Sequence, residues 1–218
     1  MTRRSRSTGR SPSLVSAQTM AEMEKELREL VESRDEIFEE ARDLRRRSQS
    51  VMRRIHAGDR LLREYEALPG IARRLVERAR PARLLEEEPV QTALQEWVEA
   101  SLLRAVVMGR SLPTPPSLFV GAVPYLLGLS DLVGELRRLA VTSLGKGAPE
   151  RAEAQVRQMD DILAILMHFE APRSVIALKP KQDTARSLLE KTRGEVAMAL
   201  YLQSIVRKGG SKGPEKRR

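Results

Sequence analysis

Two segments decide how this 218-residue sequence folds, Leu94-Gln95-Glu96-Trp97-Val98-Glu99-Ala100 and Leu129-Ser130-Asp131-Leu132-Val133-Gly134-Glu135-Leu136. Each carries two carboxylates among apolar residues. Spacings of three and four residues put each pair on one face of a helix, with β-carbons about 5–6 Å apart. Winding the first segment at the helical period sets Leu94, Trp97, Val98, Ser101 and Ala105 on one side. Glu96 and Glu99 fall on the other, together with Leu103, Val106 and Val107. A helix apolar nearly all round is covered on both sides, and an enclosed carboxylate needs a partner or a metal. In the second helix Leu129, Leu132, Leu136 and Leu139 form the core stripe, and Asp131, Glu135 and Arg138 an adjacent one. Read blandly, that trio is an exposed Glu135–Arg138 pair worth a few tenths of a kcal/mol. Read as chemistry, two acid pairs that face each other make an oxygen-lined metal box.

The remaining sequence is helical in the same way. Aromatic residues make up only 3% of the chain, Leu, Ala, Glu and Arg dominate, and strand-like alternation is absent, as in an all-α bundle. Order is expected from about Thr19, where Thr19 and Glu22 have capping-box spacing. A helix of about 35 residues or more then follows from Leu27, Leu30, Ile37, Ala41, Leu44, Val51 and Ile55. Further helices are expected over Arg60–Arg80, interrupted at Pro69-Gly70, and Val90–Gly109. After the 110–117 proline-rich turn come a fourth starting at Ser117 or near Pro124 and ending at Gly145, a fifth from Pro149, and a last over Asp183–Val206.

The formal charge of +9 lies in the ends. Residues 1–15 form an Arg-rich tail expected to be disordered, residues 16–206 one helical domain that is formally neutral, and residues 207–218 a second basic tail. Such tails attract anionic partners in a salt-dependent way, or simply keep the chain soluble. Two basic strips lie within the domain. One comprises Arg45, Arg46, Arg47, Arg53 and Arg54 with His56 and Arg60, and the other Lys179, Lys181, Arg186, Lys191 and Arg193. A solvated helix face and a phosphate track both fit this pattern. With no cysteine, disulfides and thiolate metal sites are excluded and a cytoplasmic location is expected. No apolar run is long enough for a membrane span.

Four helical carboxylates suggest a ferritin-like di-iron bundle, but that centre needs Glu-x-x-His pairs. The two histidines, His56 and His168, follow Arg53 and Ile165 at that spacing. An all-oxygen donor set suits Mg²⁺ or Mn²⁺, which beside a phosphodiester would polarise the phosphoryl oxygen and activate water. From the residues alone, metal-dependent phosphodiester hydrolysis and a purely structural bundle both stay open.

The segments Gln95–Ala100 and Tyr125–Arg138 resemble the translin family, and more closely its translin-associated factor X branch. Arg34-Asp35-Glu36-Ile37, Ile55-His56-Ala57-Gly58-Asp59, Lys181-Gln182-Asp183 and Leu189–Val196 are similar as well. The resemblance implies an all-α fold of about seven helices, assembling into a closed octameric shell that holds RNA. Factor X is the catalytic subunit of a Mg²⁺-dependent endoribonuclease, whereas translin mainly binds nucleic acid. The catalytic, metal-binding acids carry over onto Glu96, Glu99, Asp131 and Glu135. The expectation is therefore a Mg²⁺-dependent endoribonuclease, with Mn²⁺ as substitute. It would act on single-stranded or partly structured RNA, held by Arg45, Arg46, Arg53, Arg54, His56, Arg60, Lys191 and Arg193. The alternative is a non-catalytic shell for single-stranded RNA or DNA. Assembly is expected as a homo-octamer, or as a hetero-oligomer with a translin-like subunit.

Overall fold

A computed structural model describes residues 15–59 and 63–210, without the side chains of 207–210. The expected tail over residues 1–14, Arg60, and residues 211–218 lie outside the described residues. Six α-helices and one 3-10 turn make up the fold: α1 (Ala17–His56), α2 (Arg63–Ala79), α3 (Glu88–Val107), the turn Pro116–Leu118, α4 (Ala122–Gly145), α5 (Pro149–Met167) and α6 (Leu178–Gly210). Among the described residues there is no strand, and the count is six α-helices rather than about seven.

α3 and α4 form the central pair. α1 and α2 pack on the α3 side, and α5 and α6 on the α4 side. α3 is buried nearly all round, as its pattern requires: Leu94, Trp97, Val98, Leu102 and Leu103 are inaccessible or nearly so. Trp97 still satisfies its indole N–H, which donates to Leu118 O at 3.1 Å. The central helices meet at Gly128 on α4. A β-carbon there would lie 2.7 Å from Val98 Cγ1 and 2.8 Å from Gln95 O. Only a residue without a side chain lets the two backbones come this close, and the contact sits beside both acid pairs.

Three boundaries differ from the sequence reading, each for a local reason. α1 starts at Ala17 and not Thr19. Ser16 is its cap, its Oγ accepting from Thr19 N at 3.0 Å, so Thr19 is already helical. α2 runs through Pro69 without interruption, its apolar face (Leu68, Ala72, Leu75, Val76) being buried on α1 and α3. α6 begins at Leu178 rather than Asp183 and continues to Gly210, four residues into the expected C-terminal tail. Pro180 then falls in the first helical turn, where a missing N–H costs nothing. This early start brings Lys181 into the helix.

α1 is about 60 Å long at 1.5 Å per residue, but only its second half is packed. Burial begins at Ile37 and continues through Phe38, Ala41, Leu44, Val51 and Ile55, whereas Met20, Met23, Leu27, Leu30 and Val31 are exposed. The end of α6 shows the same exposure at Met198, Tyr201, Leu202, Ile205 and Val206. No helix among the described residues is long and apolar enough to cross a membrane.

Candidate functional site

The close approach at Gly128 sets the two acid pairs on facing helices, Glu96 and Glu99 on α3 and Asp131 and Glu135 on α4. All four are partly buried. Their convergence registers most clearly at Glu99, whose carboxyl is pushed up to about 8. Burial is the main cause, followed by the negative charges of Asp131, Glu135 and Glu96; Lys181 acts in the opposite direction. Among the described residues no hydrogen bond or ion pair reaches Glu99. Near neutral pH it therefore holds a proton in the absence of another cation.

The other three acids are held by nitrogen groups. Gln49 Nε2 donates to Glu96 Oε1 at 3.0 Å, and Arg45 Nε lies 3.6 Å from the same oxygen. Asp131 has both oxygens engaged, Oδ2 by Gln95 Nε2 and Oδ1 by Lys181 Nζ. Glu135 Oε2 meets His56 Nε2 in the last turn of α1, with Arg138 more distant at 3.9 Å. The His56 side chain is 7% exposed, so it sits between the acids and the outside. Beyond it lies a cavity of about 420 Å³, lined also by Lys146, Arg151, Gln155 and Gln158. In this state, among the described residues, no three His, Asp or Glu side chains stand ready to close round one ion.

The donor set nonetheless fits a hard divalent ion. It is all carboxylate, it comes from two facing helices, and one member is pushed towards its protonated form by burial and by the charge of the other three, which Lys181 offsets only in part. Holding an ion would require side-chain rotation, with Lys181, Gln95 or His56 giving up an acid oxygen.

The structure sorts the expected nucleic-acid residues into different settings. His56 and Arg45 lie at the acid cluster. Arg46 is paired with Asp43 at 2.6 Å, Arg54 with Asp59 and Glu64, and Arg193 with Asp160 at 3.0 Å. Arg53 and Lys191 are exposed. His168, set edge-on to Phe169 on the outside, is not at the acids. Gln49 and Gln95 were not among the expected site residues, since neutral amides give no charge signal in a sequence, and Lys181 was read only as part of a basic strip. Gln95 could have been found from its place one residue before Glu96, on the turn that faces α4.

The arrangement of α4 on α6 is fixed by a separate ion pair. Arg137 donates to Glu195 Oε2 and Oε1 at 2.9 and 3.0 Å and to Thr192 Oγ1 at 2.7 Å. These hydrogen bonds hold the Glu195 carboxyl below the usual range. Arg137 and Glu135 thus point to different partners from opposite sides of one turn of α4.

Comparison with known proteins gives a consistent result. The model of the Translin family matches residues 3–196. An uncharacterized protein of Methanocaldococcus jannaschii is 30% identical over 178 residues, 79% of this chain and 78% of that protein. Among solved structures, the crystal structure of apo-NeC3PO superposes with a TM-score of 0.77 at 22% identity, covering 86% of this chain and 99% of that one. AfC3PO in complex with duplex RNA superposes with a TM-score of 0.70 at 30% identity, covering 84% of this chain and 97% of that one.

Proposed function

The chain belongs to the translin family, and from that premise we propose that it is a Mg²⁺-dependent endoribonuclease of the factor X type. The observation that carries the reading is the meeting of Glu96, Glu99, Asp131 and Glu135 across α3 and α4, with Glu99 pushed up to about 8 by burial and by the other three. A bound Mg²⁺ or Mn²⁺ would polarise the phosphoryl oxygen and generate the attacking hydroxide. Asp131 and Glu135 on α4 and Glu96 and Glu99 on α3 would supply its ligands. Of these, Glu99 would give up its proton as the ion binds, since its carboxyl is pushed up to about 8 only without that positive charge. His56, buried against Glu135, orients that carboxylate and shields it from water, and Arg45 beside Glu96 offers a guanidinium to a phosphate.

RNA as the substrate is supported by the similarity to AfC3PO, which has been solved with duplex RNA. Single-stranded or partly structured RNA is the proposed cleavage substrate, with single-stranded DNA as a further ligand. Assembly into a closed shell, a homo-octamer or a hetero-oligomer with a translin-like subunit, is supported by the uncovered apolar faces of α1 and α6. A cytoplasmic location fits the absence of cysteine.

A second reading, a shell that binds nucleic acid without cutting it, is favoured by one observation: three of the four acids are taken by nitrogen groups in this state. The two readings separate in one experiment. Labelled single-stranded RNA is incubated with protein in Mg²⁺ and in EDTA, beside Glu135→Gln. Cleavage that needs Mg²⁺ and disappears in Glu135→Gln while RNA is still retained is the expected result. Retention without products in Mg²⁺ would establish the binding shell.

A further inference from the structure

The acid cluster contains a cation that the chain itself supplies. Lys181 Nζ lies on Asp131 Oδ1, between an α4 acid and the first turns of α6. We infer that Lys181 is a built-in counter-ion that occupies the place of the divalent cation at Asp131, and that its departure admits the ion, so that this lysine sets the metal affinity of the site. The inference rests on the metal reading above and specifies how the site passes between its two states.

Position, mobility and charge all point this way. The backbone at Lys181 is fixed, because the neighbouring Gln182 is buried and its Nε2 donates to Leu166 O at 2.7 Å and Phe169 O at 3.0 Å, tying the start of α6 to the end of α5. The ammonium is therefore delivered to Asp131 by the fold and not by the wandering of a surface side chain. The side chain itself is 36% exposed, so rotation outward into solvent, or onto a phosphate, is open to it without repacking. Its charge reaches beyond Asp131, since it also favours the ionised form of Glu99, against the burial and the neighbouring acids that push that carboxyl up.

A lysine in this position explains why acids so close together form no ready chelate among the described residues. Asp131 is committed at both oxygens, to Lys181 and Gln95, and an ammonium and a divalent ion cannot share one carboxylate oxygen at contact distance without strong repulsion. The cluster thus has a folded, metal-free form in which its charge is partly balanced from within. A metal-only box would instead be left with mutually repelling acids whenever the ion was absent.

The test reads Mg²⁺ and Mn²⁺ binding to the full chain without RNA by calorimetry, with thermal melting in EDTA and, separately, retention of labelled single-stranded RNA measured beside it. Lys181→Met keeps the length of the side chain and removes its charge. It is expected to bind Mg²⁺ about tenfold or more tightly than the parent protein, and to melt lower in EDTA with the loss recovered on adding Mg²⁺. Lys181→Arg restores a cation and is expected to keep the parent's weaker affinity. Binding by the parent with no gain in Lys181→Met would overturn the counter-ion role and leave the metal site standing. Unchanged metal affinity with weakened RNA retention would reassign Lys181 to phosphate contact and overturn it equally. No binding of either ion by parent or variant, with Asp131→Asn also without effect, would remove both the inference and the metal reading beneath it.

Discussion

The two halves of α1 carry the same apolar rhythm and meet opposite fates. From Ile37 to Ile55 the stripe is sealed against α3 and α2, with Leu44 and Val51 at 0% exposure. From Met20 to Val31 the same spacing leaves Leu27 at 61% and Leu30 at 60%. Helical periodicity records that a face is apolar and says nothing of what covers it. In the packed half the cover is this chain. In the projecting half nothing among the described residues supplies it, although the residues have the same character. The sharpest way to break the comparison is to truncate one leucine in each half. Leu44→Ala is expected to cost about 2–5 kcal/mol in urea unfolding, the range for a sealed leucine in a core that cannot collapse. Leu30→Ala is expected to leave that value within about 0.5 kcal/mol at low protein concentration. It should reduce the particle mass by light scattering at higher concentration, because the proposed assembly would cover this face. An equal, concentration-independent cost at both positions would show that the projecting half is packed within one chain.

Sealing the second half of α1 also encloses charge, which the projecting half does not do. Residues Arg45, Gln49 and His56 roof the acids of α3 and α4, and Glu99 beneath them is pushed up to about 8. A carboxyl raised from its ordinary 4.5 takes up a proton on folding across that interval. The folded state binds more protons than the unfolded one, and stability falls as pH rises from about 4.5 to about 8, then levels off. Below that window the acid is protonated in both states and contributes nothing. Water reaching this half-buried cluster reduces the effect to about 1–3 kcal/mol. In EDTA, Glu99→Gln is expected to flatten this slope and to be more stable than the parent protein at pH 8–9, as denaturant midpoints at several pH values would show. Mg²⁺ should flatten the parent's slope as well. A slope unchanged by Glu99→Gln would assign the pH dependence to other groups.

The same division separates what could be read in the sequence from what could not. The all-α class, the long first helix and the burial of α3 were legible, because Leu94, Trp97, Val98 and Leu103 cover its whole circumference and only a helix between two neighbours explains that. The spacing placed each acid pair on one face of its own helix and left open whether the two pairs meet; Gly128 explains why the helices can come close enough. The amide and ammonium partners were not legible. Gln49 lies 47 residues from Glu96 and Lys181 lies 50 residues from Asp131, and no local pattern links them. Pro180 hid Lys181 further, since a proline reads equally as a break or as a first-turn residue and only packing decides. The pairing of Arg193 with Asp160 was hidden for the same reason, whereas Arg46 with Asp43 and Arg54 with Asp59 are local pairs that the strip of arginines masked. A run of arginines looks like a phosphate track until the facing carboxylates are placed.

The smallest effect tests whether the projecting half of α1 belongs to the cooperative unit at all. Its first turn is held by Ser16, whose Oγ accepts from Thr19 N at 3.0 Å and lies 2.8 Å from Thr19 Oγ1. Removing such a cap costs about 0.5–2 kcal/mol of helix stability. Where a helix is packed along its length, that cost appears in global unfolding. Where its first turns lie in solvent, fraying absorbs it locally. Ser16→Ala is therefore expected to speed amide hydrogen exchange over the first turns of α1, while the exchange of Leu44 and Val51 and the global midpoint stay as they are. Transmission of the loss to Leu44 would mean that the projecting half is coupled to the core, and the contrast between the two halves would then be one of exposure and not of stability.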